Sequence, residues 1–364
     1  MNDITTKNLS LFVIIGFTLG KLFVLPALLA SMVNESLWIS TAINLIIDFL
    51  LLLLVCYLLN NTDKTIYQLF DCSFGKNGAK ILSFLYAVFF ISKSFIPIIE
   101  QKNTIELTFY ETQPTLFTFM PFFIVAFYIA IKGLKPFAKS IEFCLWIFIF
   151  GLAVTILLSF SAGNYTALLP LFSKSPKTLL TASFKSVLWF GDPVFLLYFL
   201  GYVKRDKNST KKLTLSFLCY SLITISIFVI FYAIFDGIAE RQYYAVLKMS
   251  KYSITLSNIG RYDYIASLLI SAINVYLTSL PLLLATICLN DCFSFKNKFT
   301  SPVITFLVII TLTLLTQNHF FPSIKFAQDY LSYFFILMTY IIPLILLIVL
   351  KRRKNQWYLN EQKS

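Results

Sequence analysis

Ten largely apolar runs, each about 17 to 25 residues long, recur along this chain at roughly 9–30, 37–59, 81–99, 115–131, 141–161, 183–203, 213–235, 265–289, 302–318 and 330–350. A helix rising 1.5 Å per residue needs about 20 such residues to cross the hydrocarbon core of a bilayer. Soluble domains carry about 25% charged residues, whereas here 58% of 364 residues are hydrophobic and 13% are charged. The expected architecture is an all-α polytopic membrane protein, a single membrane domain over residues 1–364 with little room for a separate soluble domain.

The net charge of +13 would suggest nucleic acid in a soluble protein. Its distribution points to topology instead. With an even number of spans and the N-terminus inside, Lys and Arg crowd the short inside segments. Examples are Lys204, Arg205, Lys207, Lys211 and Lys212, and then Lys351, Arg352, Arg353 and Lys354. This is the positive-inside pattern with both termini cytoplasmic. Glu100, Glu106 and Glu111 then fall in an outside loop, and 236–264 forms the longest outside segment, either a surface lid or a solvated linker. Dividing the spans five plus five gives halves, about 9–161 and 183–350, of opposite orientation, which is the layout of an inverted repeat. The first run reads as a retained helix, with no small-residue cleavage site before it. The six cysteines have no metal spacing and read as small hydrophobes or free thiols.

Two runs are interrupted. Gly16-Phe17-Thr18-Leu19-Gly20-Lys21, with Pro26 beyond, breaks the first, and Trp189-Phe190-Gly191-Asp192-Pro193 breaks the sixth. Interrupted spans in corresponding positions of two halves point to a binding site at the midplane. Asp192 sits near the centre of its span, where a carboxylate must be paired, hydrogen-bonded or protonated. It either faces a cavity and meets a substrate amine or a coupling proton, or serves as the partner of a buried base. Lys21 is its obvious electrostatic partner, unless the lysine lies near an interface and snorkels. Asn44 and Asp48 share a helix face and are expected to make an interhelical polar contact. Lys93 and Ser94, one turn before Pro97, read as structural residues snorkelling to the outer boundary. Asn274, Thr278, Ser271 and Ser279 form a polar stripe, either part of a site or hydroxyls returned to their own backbone. The lone His319 is placed in a loop or at an interface. No nucleotide-binding loop, zinc pair or nucleophile triad is present, so no enzymatic chemistry, cofactor or metal ion is expected.

Several short motifs, in this order and spacing, resemble the spore germination permease family, the B subunit of spore germinant receptors within the amino acid/polyamine/organocation transporter superfamily. They are the Gly-containing first run ending at Pro26; Glu111-Thr112-Gln113-Pro114; Gly133-Leu134-Lys135-Pro136-Phe137-Ala138-Lys139-Ser140-Ile141-Glu142; Leu168-Leu169-Pro170; Trp189-Phe190-Gly191-Asp192; and Ile259-Gly260-Arg261-Tyr262-Asp263. The resemblance implies a ten-helix, 5+5 inverted-repeat core with discontinuous helices 1 and 6. It also implies a small-molecule germinant such as an amino acid, A- and C-type partner subunits, and a place in the spore inner membrane. The ligand-binding residues are then expected among Gly16, Gly20, Lys21, Phe190, Gly191, Asp192 and Asn274, with Asp48, Lys139 and Glu142 in structural or coupling roles. The chain departs from the family in three places. Asp192 stands where a Glu is usual, Lys139 stands where an Arg is common, and Lys21 is an added internal cation. An autonomous proton-coupled amino-acid or amine transporter, or a structural subunit without a ligand, are the other readings of the same features.

Overall fold

A computed structural model describes residues 4–108, 115–204, 206, 208–251, 262–316 and 319–361. The motif residues Glu111 to Pro114 and Ile259 to Arg261 lie outside the described residues, as do the side chains of Glu106, Tyr262, Asp263 and Ser271. The described residues are all-α apart from a minimal parallel ladder in which Ile4 and Thr5 (β1) pair with Val203 and Lys204 (β2).

The main helices are α1 (Thr6–Leu19), α2 (Leu25–Val33), α3 (Leu37–Asn61), α4 (Ile66–Thr108), α5 (Thr115–Lys132), α6 (Leu134–Phe160), α7 (Pro176–Lys185), α8 (Pro193–Leu196), α9 (Ser209–Phe235), α10 (Ala245–Lys251), α11 (Tyr262–Phe293) and α12 (Thr300–Thr316). From Phe320 to Glu361 the chain is helical, α13 (Phe320–Phe326), α14 (Ser332–Ile336) and α15 (Ile342–Glu361) being joined by π-helical turns at Ala327–Leu331 and Leu337–Ile341. Among the described residues, five stretches are long and apolar enough to cross a membrane: Leu25–Asn61, Ile66–Asn103, Ser209–Arg241, Ala272–Phe293 and Pro322–Arg352. A bent pair, Leu134–Phe143 with Trp146–Leu157, makes a sixth if counted as one span. The ten apolar runs therefore do not map one to one onto ten uninterrupted helices. The first and sixth are divided, and the end of the first runs close upon the second. Large apolar side chains on many helices point outward, including Ile46, Leu50, Trp146, Leu157, Leu222 and Leu315. Exposure on that scale suits a surface solvated by lipid and not by water.

Both interruptions have a local cause. α1 ends at Gly20, and α2 starts with Pro26 in its first turn. Proline has no N–H to give the carbonyl four residues back, which is Leu22 O. Val246 N–H donates to that oxygen instead (3.3 Å), and Ala245 N–H donates to Phe23 O (2.9 Å). Thus part of the long 236–264 segment docks on the first break, Ala245, Val246 and Met249 being buried. These residues are therefore not a solvated linker. In the sixth run α7 gives way to a 3-10 turn at Val187–Trp189, and Gly191 takes φ +78°. Only glycine enters that region freely, and Pro193, which has no N–H for Trp189 O, opens the single turn of α8. Around these breaks the core is aromatic. Phe12 meets Phe17 and Phe195 edge-on, and Phe90 packs against Tyr198.

Candidate functional site

The two breaks meet at a cluster of buried charges. Lys21, wholly buried, donates from Nζ to Phe17 O (2.8 Å) and to Asp192 Oδ2 (2.5 Å). Lys93 on α4 approaches the other carboxylate oxygen, Oδ1, at 3.1 Å and donates to Phe190 O at 2.5 Å. Asp48 on α3 accepts the Gly191 N–H on both oxygens (2.9 and 3.0 Å) and the Tyr340 hydroxyl on Oδ1 (2.6 Å). Aromatic faces close the shell, with Lys21 Nζ 5.0 Å from the Phe190 ring centre and 5.1 Å from that of Tyr220. Desolvating an ion costs several kcal/mol, which is recovered only where geometry is good and the remaining donors and acceptors are met. Here each ammonium has both a carboxylate and a backbone carbonyl. The cluster can therefore stand in a dry interior and fasten the first and sixth runs to each other, to α3, to α4 and to the C-terminal helical stretch.

Lys21 and Asp192 do form an ion pair, so the lysine does not snorkel. Asn44, one turn from Asp48, donates to Ser183 O (3.0 Å) and Ser186 Oγ (2.9 Å), so the α3 face makes the interhelical polar contact its spacing suggested. The reading of Lys93 as a snorkelling residue is corrected. Its residue is 7% exposed, because its face of α4 meets the sixth-run break and offers a nearer counter-charge than the membrane boundary does. Glu100 is corrected too. It is buried on α4, which continues past Pro97 to Thr108, and it accepts the indole N–H of Trp189 (3.0 Å). Tyr340 was missed; a tyrosine in an apolar run gives no sign that its hydroxyl reaches an aspartate. Replacing Tyr340 with Phe keeps the ring and removes one bond to a charged group, and is expected to cost about 1.5–3 kcal/mol. Thermal unfolding in detergent would measure it, and an unchanged transition would show that the bond carries nothing.

A cavity lies beside this cluster. Gly16, Gly20, Asp192 and Asn274 line it, with Lys93, Trp189 and Thr278 and apolar side chains from α1, α4, α8 and α11. Lys21, Phe190 and Gly191 stand behind Asp192 as its support. Glu142 is elsewhere, 3.3 Å from Lys7 Nζ and accepting from Asn8 Nδ2 (3.2 Å), and Lys139 is exposed on the same helix. Within the polar stripe of α11, Thr278 returns its hydroxyl to Asn274 O (2.9 Å), while Asn274 donates to Gln101 Oε1 (2.8 Å). His319 is exposed before α13. Among the described residues no group of three or more His, Cys, Asp or Glu is placed to hold a metal ion.

The family model for spore germination proteins (Spore_permease) matches residues 3–322. No curated protein matches the sequence. Among solved structures, the chain is similar to a manganese transporter of Eremococcus coleocola, at 11% identity and TM-score 0.61 over 94% of this chain and 76% of that one. It is also similar to MhsT in complex with L-phenylalanine, at 13% identity and TM-score 0.61 over 94% and 97%. A Na⁺-coupled sialic acid symporter gives 11% identity and TM-score 0.56 over 91% and 78%. At these identities the likeness shows the fold alone.

Proposed function

This chain belongs to the spore germination protein family, and from that premise we propose that it is the transporter-like, germinant-recognising subunit of a spore germinant receptor. In this reading it lies in the spore inner membrane with both termini cytoplasmic, beside A- and C-type subunits. It has a ten-span core of two inverted repeats, about 9–161 and 183–350, whose first helices are the discontinuous ones. The ligand is a small solute, an amino acid or similar, held near Gly16, Gly20, Asp192 and Asn274, with Lys21, Phe190 and Gly191 shaping the site from behind.

The observation that supports this reading is the cavity at the meeting point of two broken helices. Such breaks give a transporter-like protein freed backbone groups at mid-membrane depth, and a ligand that binds one arrangement of them better than another shifts the balance between states. Partner subunits would read that shift. The test is germination of spores lacking this gene, across a panel of amino acids and small uncharged solutes, with complementation by the intact gene. Loss of response to one compound is expected. The fold likeness to transporters supports a second reading, autonomous transport. An unchanged response to every compound with partner genes expressed, together with uptake by proteoliposomes, would replace the first reading with the second.

A further inference from the structure

We infer that the cavity beside the helix breaks takes a small, uncharged, mainly apolar solute and excludes zwitterions and ammonium ions. The inference keeps the small solute of the receptor reading but replaces the amino acid named there with an uncharged compound, and rests on that reading only in calling the solute a germinant.

Broken helices hold the charged ends of a ligand with freed carbonyls, freed amides and buried counter-charges. In this chain the protein's own side chains already occupy several of them. The carbonyls of Phe17 and Phe190 accept from Lys21 and Lys93. The Gly191 amide donates to Asp48. Each oxygen of Asp192 faces one lysine, at 2.5 and 3.1 Å. Two tethered ammoniums and one tethered carboxylate thus stand where those of an amino acid would be expected to go. A free ligand would have to displace groups whose local concentration is set by the chain itself.

Other polar side chains around the cavity also have hydrogen-bond partners. Trp189 Nε1 donates to Glu100, Asn274 Nδ2 to Gln101 and Thr278 Oγ1 to Asn274 O. The two lysines and two aspartates of the cluster cancel in charge, so the cluster offers an entering ion no net counter-charge, and an ammonium beside Asp192 would meet two ammoniums already there. An ion brought in on those terms loses its water without replacement. The rest of the wall, with Phe12, Ile96, Leu188, Leu277 and Pro281, rewards an apolar body in proportion to the area buried.

The experiment is calorimetric titration of the purified full chain in nanodiscs with two matched series, one three-carbon and one branched five-carbon. The first comprises alanine, n-propylamine, propionate and propionamide; the second valine, isopentylamine, isovalerate and isovaleramide. At least one amide is expected to bind roughly tenfold or more tightly than the amino acid and amine of its own skeleton, a difference of about 1.4 kcal/mol. Leu277→Phe, which narrows the cavity, is expected to remove that preference and leave only partitioning into the bilayer. An amino acid or amine binding as tightly as its amide, or no compound binding beyond bilayer partition, overturns the inference. The ranking in the unmodified protein decides the matter even if the variant misfolds. Failure of the receptor reading would appear separately, as unchanged germination of spores lacking the chain.

Discussion

Replacing Asp192 with asparagine is expected to destabilise the protein by about 3–5 kcal/mol, the cost of leaving buried charge without its partner. The size of the side chain hardly changes, so packing does not confound the comparison. What changes is the charge count. The carboxylate is bracketed by Lys21 at 2.5 Å and Lys93 at 3.1 Å. Asparagine leaves both ammoniums buried, with one amide oxygen between them and an amide N–H₂ turned toward one of them. Removing either lysine has a different result. Lys21→Met leaves the Lys93–Asp192 pair, and Lys93→Met leaves the Lys21–Asp192 pair, so each should cost clearly less than Asp192→Asn. The quadruple change Lys21→Met, Lys93→Met, Asp192→Leu and Asp48→Asn removes every charge of the cluster and should recover much of the loss, since apolar or neutral replacements of buried ion networks are often neutral or stabilising. Thermal unfolding in nanodiscs and membrane abundance give the ranking, and cycles between Lys21, Lys93 and Asp192 give the coupling. If Asp192→Asn proves no worse than Lys93→Met, the carboxylate is not the joint between the two breaks.

Much of the architecture was legible in the sequence because it follows from strong local terms. Long apolar runs specify helices in a bilayer. Pro26 in the first run, and Gly191 with Pro193 in the sixth, specify where two of them break, since a proline cannot continue the ladder and the positive φ at Gly191 needs glycine. The meeting of Lys21 with Asp192 also followed from their equivalent places in the two broken runs. The direction of side chains on otherwise ordinary helices was not legible. Lys93 lies near the apparent outer end of its apolar run, and linear position cannot distinguish a lysine reaching the interface from one facing another helix. Glu100 was placed in a loop because the apolar run stops there, although α4 continues to Thr108 and gives the carboxylate to Trp189. Asp48 could be seen as a polar residue on a shared face with Asn44, but its acceptance of the Gly191 amide needs a tertiary contact across 143 positions of the chain. The docking of Ala245 and Val246 on the first break likewise uses backbone groups, which every residue carries and no composition signals.

Three glycines that looked alike as site candidates are expected to differ sharply when changed to alanine, with Gly191→Ala by far the most damaging. A β-carbon at Gly20 would have nothing within 4 Å, and at Gly16 it would come within 2.6 Å of the buried Phe12 ring, a clash with one side chain on an ordinary helical backbone. At Gly191 it would lie 2.3 Å from the Thr339 methyl and 3.2 Å from that residue's Cβ, on a backbone with φ +78°. Thr339 is buried in the second π-helical turn, so it has little room to yield. The left-handed conformation costs about 1–2 kcal/mol for a residue with a β-carbon, and overpacking adds about 1–3 kcal/mol. The same shift would draw the Gly191 N–H away from Asp48, which is also held by Tyr340. Thr339→Ser separates these contributions, because it removes only the methyl. Combined with Gly191→Ala it should restore the packing share and leave the conformational share, giving a double variant less destabilised than Gly191→Ala alone but still below the parent. Unfolding of the four proteins in nanodiscs measures this. Full recovery in the double variant would mean that the positive φ costs nothing here. No recovery would mean that the sixth-run break does not rest against Thr339.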